Sequence, residues 1–463
     1  MRFYKPEHAR AGDTIPFLHD GVFHVFYLKR YADDTHDVPE TSWWHVSTTD
    51  FADFVDHGVA IPRGDLDDAD YSVATGSVVK IGDEFHAYYT GFRRWPSPVG
   101  RQQTVLRARS SDLITWVKDD AFSLVADESR FHPDEWRDPF VHFDAASGGY
   151  RMLIAAQRPD GPVARRGVLA SASSPDGRDW TIDEEPFWAP GLFSMHECPD
   201  LFRMGEWWYL VYSTFSDRTV ARYRMSPGPD GPWTSPADDE LDGLGFYAAK
   251  TLSDGERRYL VGWAVNRVAG SDEGRWLWGG NLLAHELHAD SDGRLRVCQP
   301  AAAKAVLQSR TIASEALAAD LAAPAGHATQ TLAELPRSGL ADLAIEPTPD
   351  AKAFGIELRV DEERRHGYSI SFEPAKHRIV VDRVSRFGFD PPLDVRPWEV
   401  EPGPLELNLE FDGDLFVLYV NGRTAITLRG YDTGGAGLAV FATEGSLRAA
   451  GTLRSFAEPP PRL

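Results

Sequence analysis

Ser194-Met195-His196-Glu197-Cys198-Pro199-Asp200-Leu201-Phe202 leads through Arg203-Met204 into a Gly205-Glu206 turn. The apolar run Trp207-Trp208-Tyr209-Leu210-Val211-Tyr212 follows. Taken alone, this is a surface glutamate ahead of a β-hairpin: charged side chains are mostly exposed, and two β-rich runs around a glycine turn read as a hairpin. The context changes that reading, because the same frame recurs along the chain with other residues in the place of Glu197.

The first frame is Asp13–His19, a turn at Asp20-Gly21, then Val22–Leu28. The second is Thr75–Ile81, a turn at Gly82-Asp83, then Phe85–Phe92. The third is Asp138–Phe143, a turn at Ser147-Gly148-Gly149, then Tyr150–Ala156. The fifth is Tyr247–Leu252, a turn at Asp254-Gly255, then Arg258–Val265. Each frame goes on to a third strand and a polar turn, and a Trp or Phe after that turn predicts a fourth, outer strand. The anchors at 13, 75, 138, 197 and 247 are spaced by 62, 63, 59 and 50 residues. Four-stranded antiparallel units at a near-constant period are the signature of a β-propeller. The expectation is an all-β chain with a five-bladed propeller over residues 1–300. A β-sandwich built from coincidental hairpins is the competing reading. From about residue 330 many short alternating runs predict a β-sandwich domain over 329–463. The Ala/Leu-rich stretch 301–328 between them reads as a linker, with a short helix or strand in it, and Glu458-Pro459-Pro460-Pro461 as a plain terminus.

Composition narrows the function. The chain has 463 residues, 40 Gly, 32 Pro, 12% aromatics and a formal net charge of -22. That charge argues against nucleic acid or an anionic membrane as a partner, since both need clustered Lys and Arg. A neutral oligosaccharide or polysaccharide fits better; oligomeric state is left open. Two cysteines, Cys198 and Cys298, do not support a disulfide framework. There is no apolar leader after Met1 and no run long enough to span a membrane, so the expected location is cytoplasmic. No phosphate loop, zinc-type cluster or nucleophile elbow appears, and no cofactor is expected.

Inner strands of a propeller line its axial channel, so the five anchors converge on one pocket. Three of them, Asp13, Asp138 and Glu197, are carboxylates, whose mutual repulsion is costly. Packing does not call for them; catalysis does, with a Ca²⁺ site as the rival account. Two carboxyl groups flanking a glycosidic bond are what glycoside hydrolysis needs, one protonated and one ionised. Arg137 is a candidate charge partner and sugar ligand, or else one half of a solvent-facing salt bridge. Trp43, Trp44, Tyr71, Trp136, Trp188, Tyr247 and Trp278 are candidates for stacking on a sugar, although propellers bury most such rings between sheets.

Arg137-Asp138-Pro139 and Glu197-Cys198-Pro199-Asp200-Leu201 resemble, in order and spacing, the Arg-Asp-Pro and Glu-Cys motifs of glycoside hydrolase family 32. Thr75-Gly76-Ser77 resembles the family's Ser-Gly-Ser stretch. Asp242 through Phe246-Tyr247-Ala248 resembles its Asp…Phe-Tyr-Ala segment, Gly262-Trp263 its Gly-Trp, and Leu418–Arg423 a strand of its sandwich domain. The resemblance implies Asp13 as nucleophile, Glu197 as acid/base and Asp138 as transition-state stabiliser. It also implies a retaining mechanism without metal, on a propeller followed by a sandwich. Arg137, Thr75, Tyr71, Trp44, Tyr247 and Asp242 are the expected substrate-binding residues. The chain departs from the family in its first motif. Gly12 stands where the family has Asn before the nucleophile, and Leu28 where it has Gln after Phe-Tyr. Part of the fructose-binding set is therefore gone. A β-fructofuranosidase is the leading expectation. An inverting arabinofuranosidase-like enzyme of the related family 43 type and a non-catalytic carbohydrate-binding propeller are the alternatives.

Overall fold

The five frames become five antiparallel blades in the computed structural model, which describes residues 3–31, 41–93, 101–385, 389–431 and 434–457. Blade 1 comprises Ala9–His19, Val22–Tyr31, Trp43–Thr48 and Val55–Ile61. Blade 2 comprises Ser72–Ile81, Glu84–Phe92, Gln103–Ser110 and Val117–Lys118. Blade 3 comprises Trp136–Asp144, Gly149–Gln157, Gly167–Ser174 and Thr181–Ile182. Blade 4 has Glu197–Met204, Trp207–Thr214 and Val220–Ser226, with isolated bridges to Thr234 and Glu240 in the outer position. Blade 5 comprises Phe246–Ser253, Arg258–Arg267, Trp276–Ala289 and Leu295–Cys298. The outer strands start just after Phe54, Trp116 and Trp180 in blades 1 to 3, as the pattern predicts.

Local chemistry explains the hairpins. The Asp20-Gly21 turn has φ of +50° and +76°. Two consecutive positive φ values match the twist of the flanking strands, and Asp-Gly accommodates them at low cost. Aromatic layers fill the gaps between blades, with Phe26, Trp43, Phe85 and Tyr89 between blades 1 and 2 and Tyr88, Trp136 and Ile154 between blades 2 and 3. Burial of each such side chain contributes about 1.5–3 kcal/mol. The ring closes where blade 5 meets blade 1 at the Ala11–Gly280 pair. The start of the described chain is tied to the same place: Leu282 N donates to Tyr4 O at 2.7 Å, and Asn281 Nδ2 to Phe3 O at 3.2 Å.

The second domain is a sandwich joined by two long strands. Thr311–Glu334 pairs with Gly437–Phe456 from end to end. The first half of Gly437–Phe456 also pairs with Ala353–Val360, and its second half with Ser338–Pro347. Both strands thus pass from one sheet to the other, which requires a bend. The bend falls at the register break between Ala323 and His327 and, opposite, at Glu444 with φ of +46°.

Residues 301–328 are not a linker. Ala301–Ser309 is an α-helix, and Thr311 onward belongs to the 24-residue strand. Leu317, Ala319, Leu321 and Ala323 are buried while Ala318, Asp320 and Ala322 are exposed. Alanine on both faces hides this period of two from a hydrophobicity pattern. The Pro-rich tail from 458 lies outside the described residues. Both cysteines are free, and no described helix is long and apolar enough to cross a membrane.

Buried ion pairs join the domains. Arg396, 1% exposed, reaches from the sandwich to Asp238 Oδ2 at 3.0 Å and to the Glu240 carbonyl at 2.9 Å. Arg218 reaches back to Asp394 at 2.7 Å. Removing one member of a buried pair strands its partner's charge. Arg396→Met is therefore expected to lower unfolding free energy by about 3–5 kcal/mol in chemical denaturation followed by near-UV circular dichroism. An unchanged midpoint would exclude this clamp.

Candidate active site

All five inner strands break their ladder at the same height. The register slips between Gly12 and Thr14, Val73 and Gly76, Arg137 and Phe140, Glu197 and Asp200, and Tyr247 and Lys250. These are β-bulges, which bend a strand and re-aim its side chains. In blades 3, 4 and 5 the first bulge residue is left-handed: Asp138, Cys198 and Ala248 have φ of +58°, +51° and +52°. Non-glycine residues adopt this conformation only where surrounding structure enforces it. The rungs also correct the sequence alignment of the frames. Arg137, Glu197 and Tyr247 occupy one rung, opposite Ala155, Ser213 and Trp263. Asp138 is level with Cys198 rather than with Glu197, and Thr75 comes after the rung that Val73 occupies.

The bulges gather the three carboxylates. Asp13 Oδ2 accepts from Thr75 Oγ1 at 2.7 Å, and its Oδ1 from Trp263 Nε1 at 3.2 Å. Burial and then the Asp138 charge push its carboxyl up to about 7, against those two hydrogen bonds. Asp138, 4% exposed, accepts from Cys198 N at 3.0 Å, while its own N–H donates to Thr90 Oγ1 at 2.8 Å. Burial raises its carboxyl as well, opposed by Arg137.

Glu197 is held from both sides. Arg137 donates to Oε1 twice, from Nη2 at 2.8 Å and Nε at 3.1 Å. Tyr247 donates to Oε2 at 2.6 Å. Arg137 is also paired with Glu135 through Nη1 at 2.5 Å. Burial opposes its charge, but Glu197, Asp138 and Glu135 hold the guanidinium protonated. Arg137 is thus a charge partner inside the pocket, not a solvent-facing pair.

The remaining candidates fare differently. Thr75 and Tyr247 touch the carboxylates directly. Tyr71 lies just before the inner strand of blade 2, with the Arg63 guanidinium 5.5 Å from its ring. Trp44 lies two strands out in blade 1, its ring covered by Lys29 Nζ at 3.6 Å, and packs on the core between blades 1 and 5. Trp43 and Trp136 are fully buried core residues. Asp242 is not in the pocket. Its carboxylate is buried at the domain junction, accepting from Thr427 N at 2.8 Å, Thr427 Oγ1 at 2.6 Å and Gly243 N at 2.5 Å, with His285 Nε2 at 3.1 Å. The Asp comes a few residues ahead of Phe-Tyr-Ala, and the loop between them turns it toward the sandwich.

Sequence reasoning gave no role to Trp263, which binds Asp13, or to Thr90, which fixes the Asp138 backbone. Trp263 is legible as the rung partner of Tyr247 once the hairpin is drawn. Trp278 packs 6.0 Å from Trp263, and a Cβ built on Gly12 would lie 2.3 Å from its ring. The indole fills the space that a side chain at position 12 would take.

Comparison with known proteins identifies the family and the fold. Residues 14–282 match the glycosyl hydrolases family 32 N-terminal domain and residues 308–456 the family 32 C-terminal domain. The chain is 27% identical over 311 residues to an insoluble β-fructofuranosidase isoenzyme of Daucus carota, covering 60% of this chain and 51% of that protein. It is 28% identical over 293 residues to sucrose-6-phosphate hydrolase of Escherichia coli, covering 59% of this chain and 58% of the other. The chain spans about half the length of the curated relatives it matches. Among solved structures it superposes on fructan 1-exohydrolase IIa from Cichorium intybus, in complex with 1-kestose, with a TM-score of 0.80 at 18% identity. That match covers 98% of this chain and 97% of the other.

The Thr75 hydrogen bond favours the ionised form of Asp13, so its removal favours the protonated form. Thr75→Val is expected to move the Asp13 titration upward from about 7, read from carboxyl ¹³C shifts and assigned with Asp13→Asn. A downward or absent movement would contradict this coupling.

Proposed function

The chain belongs to glycoside hydrolase family 32, and from that premise we propose that it is a retaining, exo-acting glycosidase of β-fructofuranosides. The observation that carries this reading is the gathering of Asp13, Asp138 and Glu197 around the five bulges, close enough to act on one another's charge, with Arg137 and Tyr247 on Glu197. Asp13, ionised, attacks the anomeric carbon and forms a glycosyl-enzyme. Glu197 gives a proton to the leaving oxygen and then takes one from the incoming water. Asp138 accepts hydrogen bonds from sugar hydroxyls, and these strengthen as positive charge develops on the ring.

Both Arg137 contacts fall on Oε1, which leaves Oε2, facing the Tyr247 hydroxyl, as the oxygen that carries the transferred proton. A metal role for the same carboxylates fits poorly. Their oxygens already accept from an indole N–H, a hydroxyl, a backbone N–H and a guanidinium, and a guanidinium on Glu197 would repel a cation.

The sugar is set on the side where the chain departs from its family. Trp278 covers Gly12, and Leu28 is 2% exposed in the core between blades 1 and 2. Fewer polar groups are left there to meet the hydroxyls of a fructosyl unit, and a lost hydrogen bond in a closed site weighs heavily on specificity. The related solved structures and curated relatives include proteins named for sucrose phosphate and fructan, which makes β-fructofuranosides the first substrates to try.

Asp13→Asn, Asp138→Asn and Glu197→Gln are each expected to lower kcat by at least about 10³-fold with unchanged thermal unfolding. The assay is a panel of sucrose, inulin, levan and aryl furanosides. Near wild-type turnover in any variant removes that residue from the mechanism, and sugar binding without turnover of the panel replaces the hydrolase by a binding protein. NMR of the first-formed anomer distinguishes retention from inversion. Asp242→Ala, by contrast, is expected to destabilise the protein and leave KM where it was; a raised KM would return Asp242 to the substrate site.

A further inference from the structure

The layer directly beneath the carboxylates holds a lysine that the mechanism above does not use. Past each bulge, the first residue back on the ladder is Thr14, Gly76, Phe140, Asp200 and Lys250 in blades 1 to 5. Lys250 and Asp200 are each 2% exposed. Lys250 Nζ donates to Gly76 O at 2.8 Å, which carries the side chain from blade 5 past blade 1 to blade 2. Its ammonium is 5.7 Å from the Phe140 ring of blade 3. On its far side, Ile15, Phe17, Ser77, Phe140 and Asp200 line a cavity of about 250 Å³ along the lower channel. Lys250 is the floor between that cavity and the carboxylates.

A buried ammonium is expensive unless charge or hydrogen bonds compensate it, and a lone neutral carbonyl compensates little. Burial pushes its proton affinity down, and carboxylates facing it on other blades offset part of that cost: Asp138 from blade 3, Asp200 from blade 4 and Asp13 from blade 1. From blade 2 the Gly76 carbonyl accepts from its ammonium. Asp200 is also offset by Arg258, from the second strand of blade 5, and bonded by Thr251 N. A structural tie to Gly76 alone would need no charge, and a neutral donor would serve it at lower cost.

We propose that Lys250 is a positioning residue for the catalytic centre: a buried cation one rung beneath the carboxylates, whose field favours the ionised forms of Asp13 and Asp138. It touches neither substrate nor reacting atoms. Arg137 is bonded to Glu197 and Glu135 and also opposes the rise of Asp138. Lys250, one rung below, is the cation that faces both Asp13 and Asp138. The inference rests on the glycosidase reading for its kinetic readout only.

The test compares wild type, Lys250→Met, Lys250→Arg and Asp200→Asn. The first readout is the acid limb of kcat/KM on whichever furanoside is turned over; the second is the ¹³C titration of the aspartate carboxyls. Asp13 must be ionised to attack, and loss of a nearby cation favours its protonated form. Lys250→Met is expected to move the limb to higher pH by about one unit or more, and Lys250→Arg to restore it. Asp200→Asn removes a negative charge from the layer and is expected to move the limb to lower pH. A Lys250→Met protein that is less stable but titrates as wild type would overturn the proposal. If that variant does not fold, an unmoved or upward-shifted limb in Asp200→Asn does the same. If wild type turns over no glycoside, the hydrolase reading fails, and the carboxyl titrations still decide the role of Lys250.

Discussion

The β-bulge repeated in each inner strand is the constraint on which the site depends. An unbroken strand alternates its side chains between two faces, so two neighbouring residues cannot both serve the channel. The extra residue breaks that alternation. It lets Arg137 and Asp138 act in one pocket, and it turns the Cys198 N–H toward the Asp138 carboxylate. Left-handed backbone at Asp138, Cys198 and Ala248 is the conformational cost, about 1–3 kcal/mol per residue. The aromatic packing between blades, which fixes each sheet against its neighbours, holds the backbone there.

Charge is arranged in layers along the same axis. Three carboxylates lie at bulge height, with Arg137 and Tyr247 on one of them. One rung below are Lys250 and Asp200. Because the channel walls are buried strand, these charges act on each other through protein rather than water, where their interactions are stronger. Two cations then have different tasks by position alone. Arg137 fixes the orientation of Glu197 and acts on Asp138, while Lys250 faces Asp13 and Asp138 from one rung below.

The propeller was legible because its signal is repetition: five hairpins in phase outweigh the ambiguity of any one of them. The carboxylates were legible for the same reason, and their sequence motifs named Arg137 as well. Register was not. Placing Glu197 level with Asp138 was one residue wrong, since a bulge leaves no mark in composition and shifts every side chain after it to the other face. Asp242 was misplaced by a related failure, as a short loop sends it to the domain junction where Thr427 and His285 hold it. The strand from Thr311 was hidden because alanine occupies both of its faces. Trp263 and Lys250 were hidden because one reaches Asp13 from the second strand of its blade and the other lies a rung below the carboxylates, and a linear pattern has no term for either.

The departures in the first motif follow the same geometry. With no Cβ at Gly12, the Trp278 ring lies against the backbone that carries Asp13, and Trp263, packed on Trp278, donates to that same carboxylate. Any side chain at position 12 would displace Trp278, and through it the indole that orients Asp13. A polar sugar contact and this aromatic support are therefore mutually exclusive at one position. The chain has the support. Asp13 is held by Thr75 and Trp263 from adjoining blades rather than by its own strand, so the first motif departs in sequence while its carboxylate stays fixed.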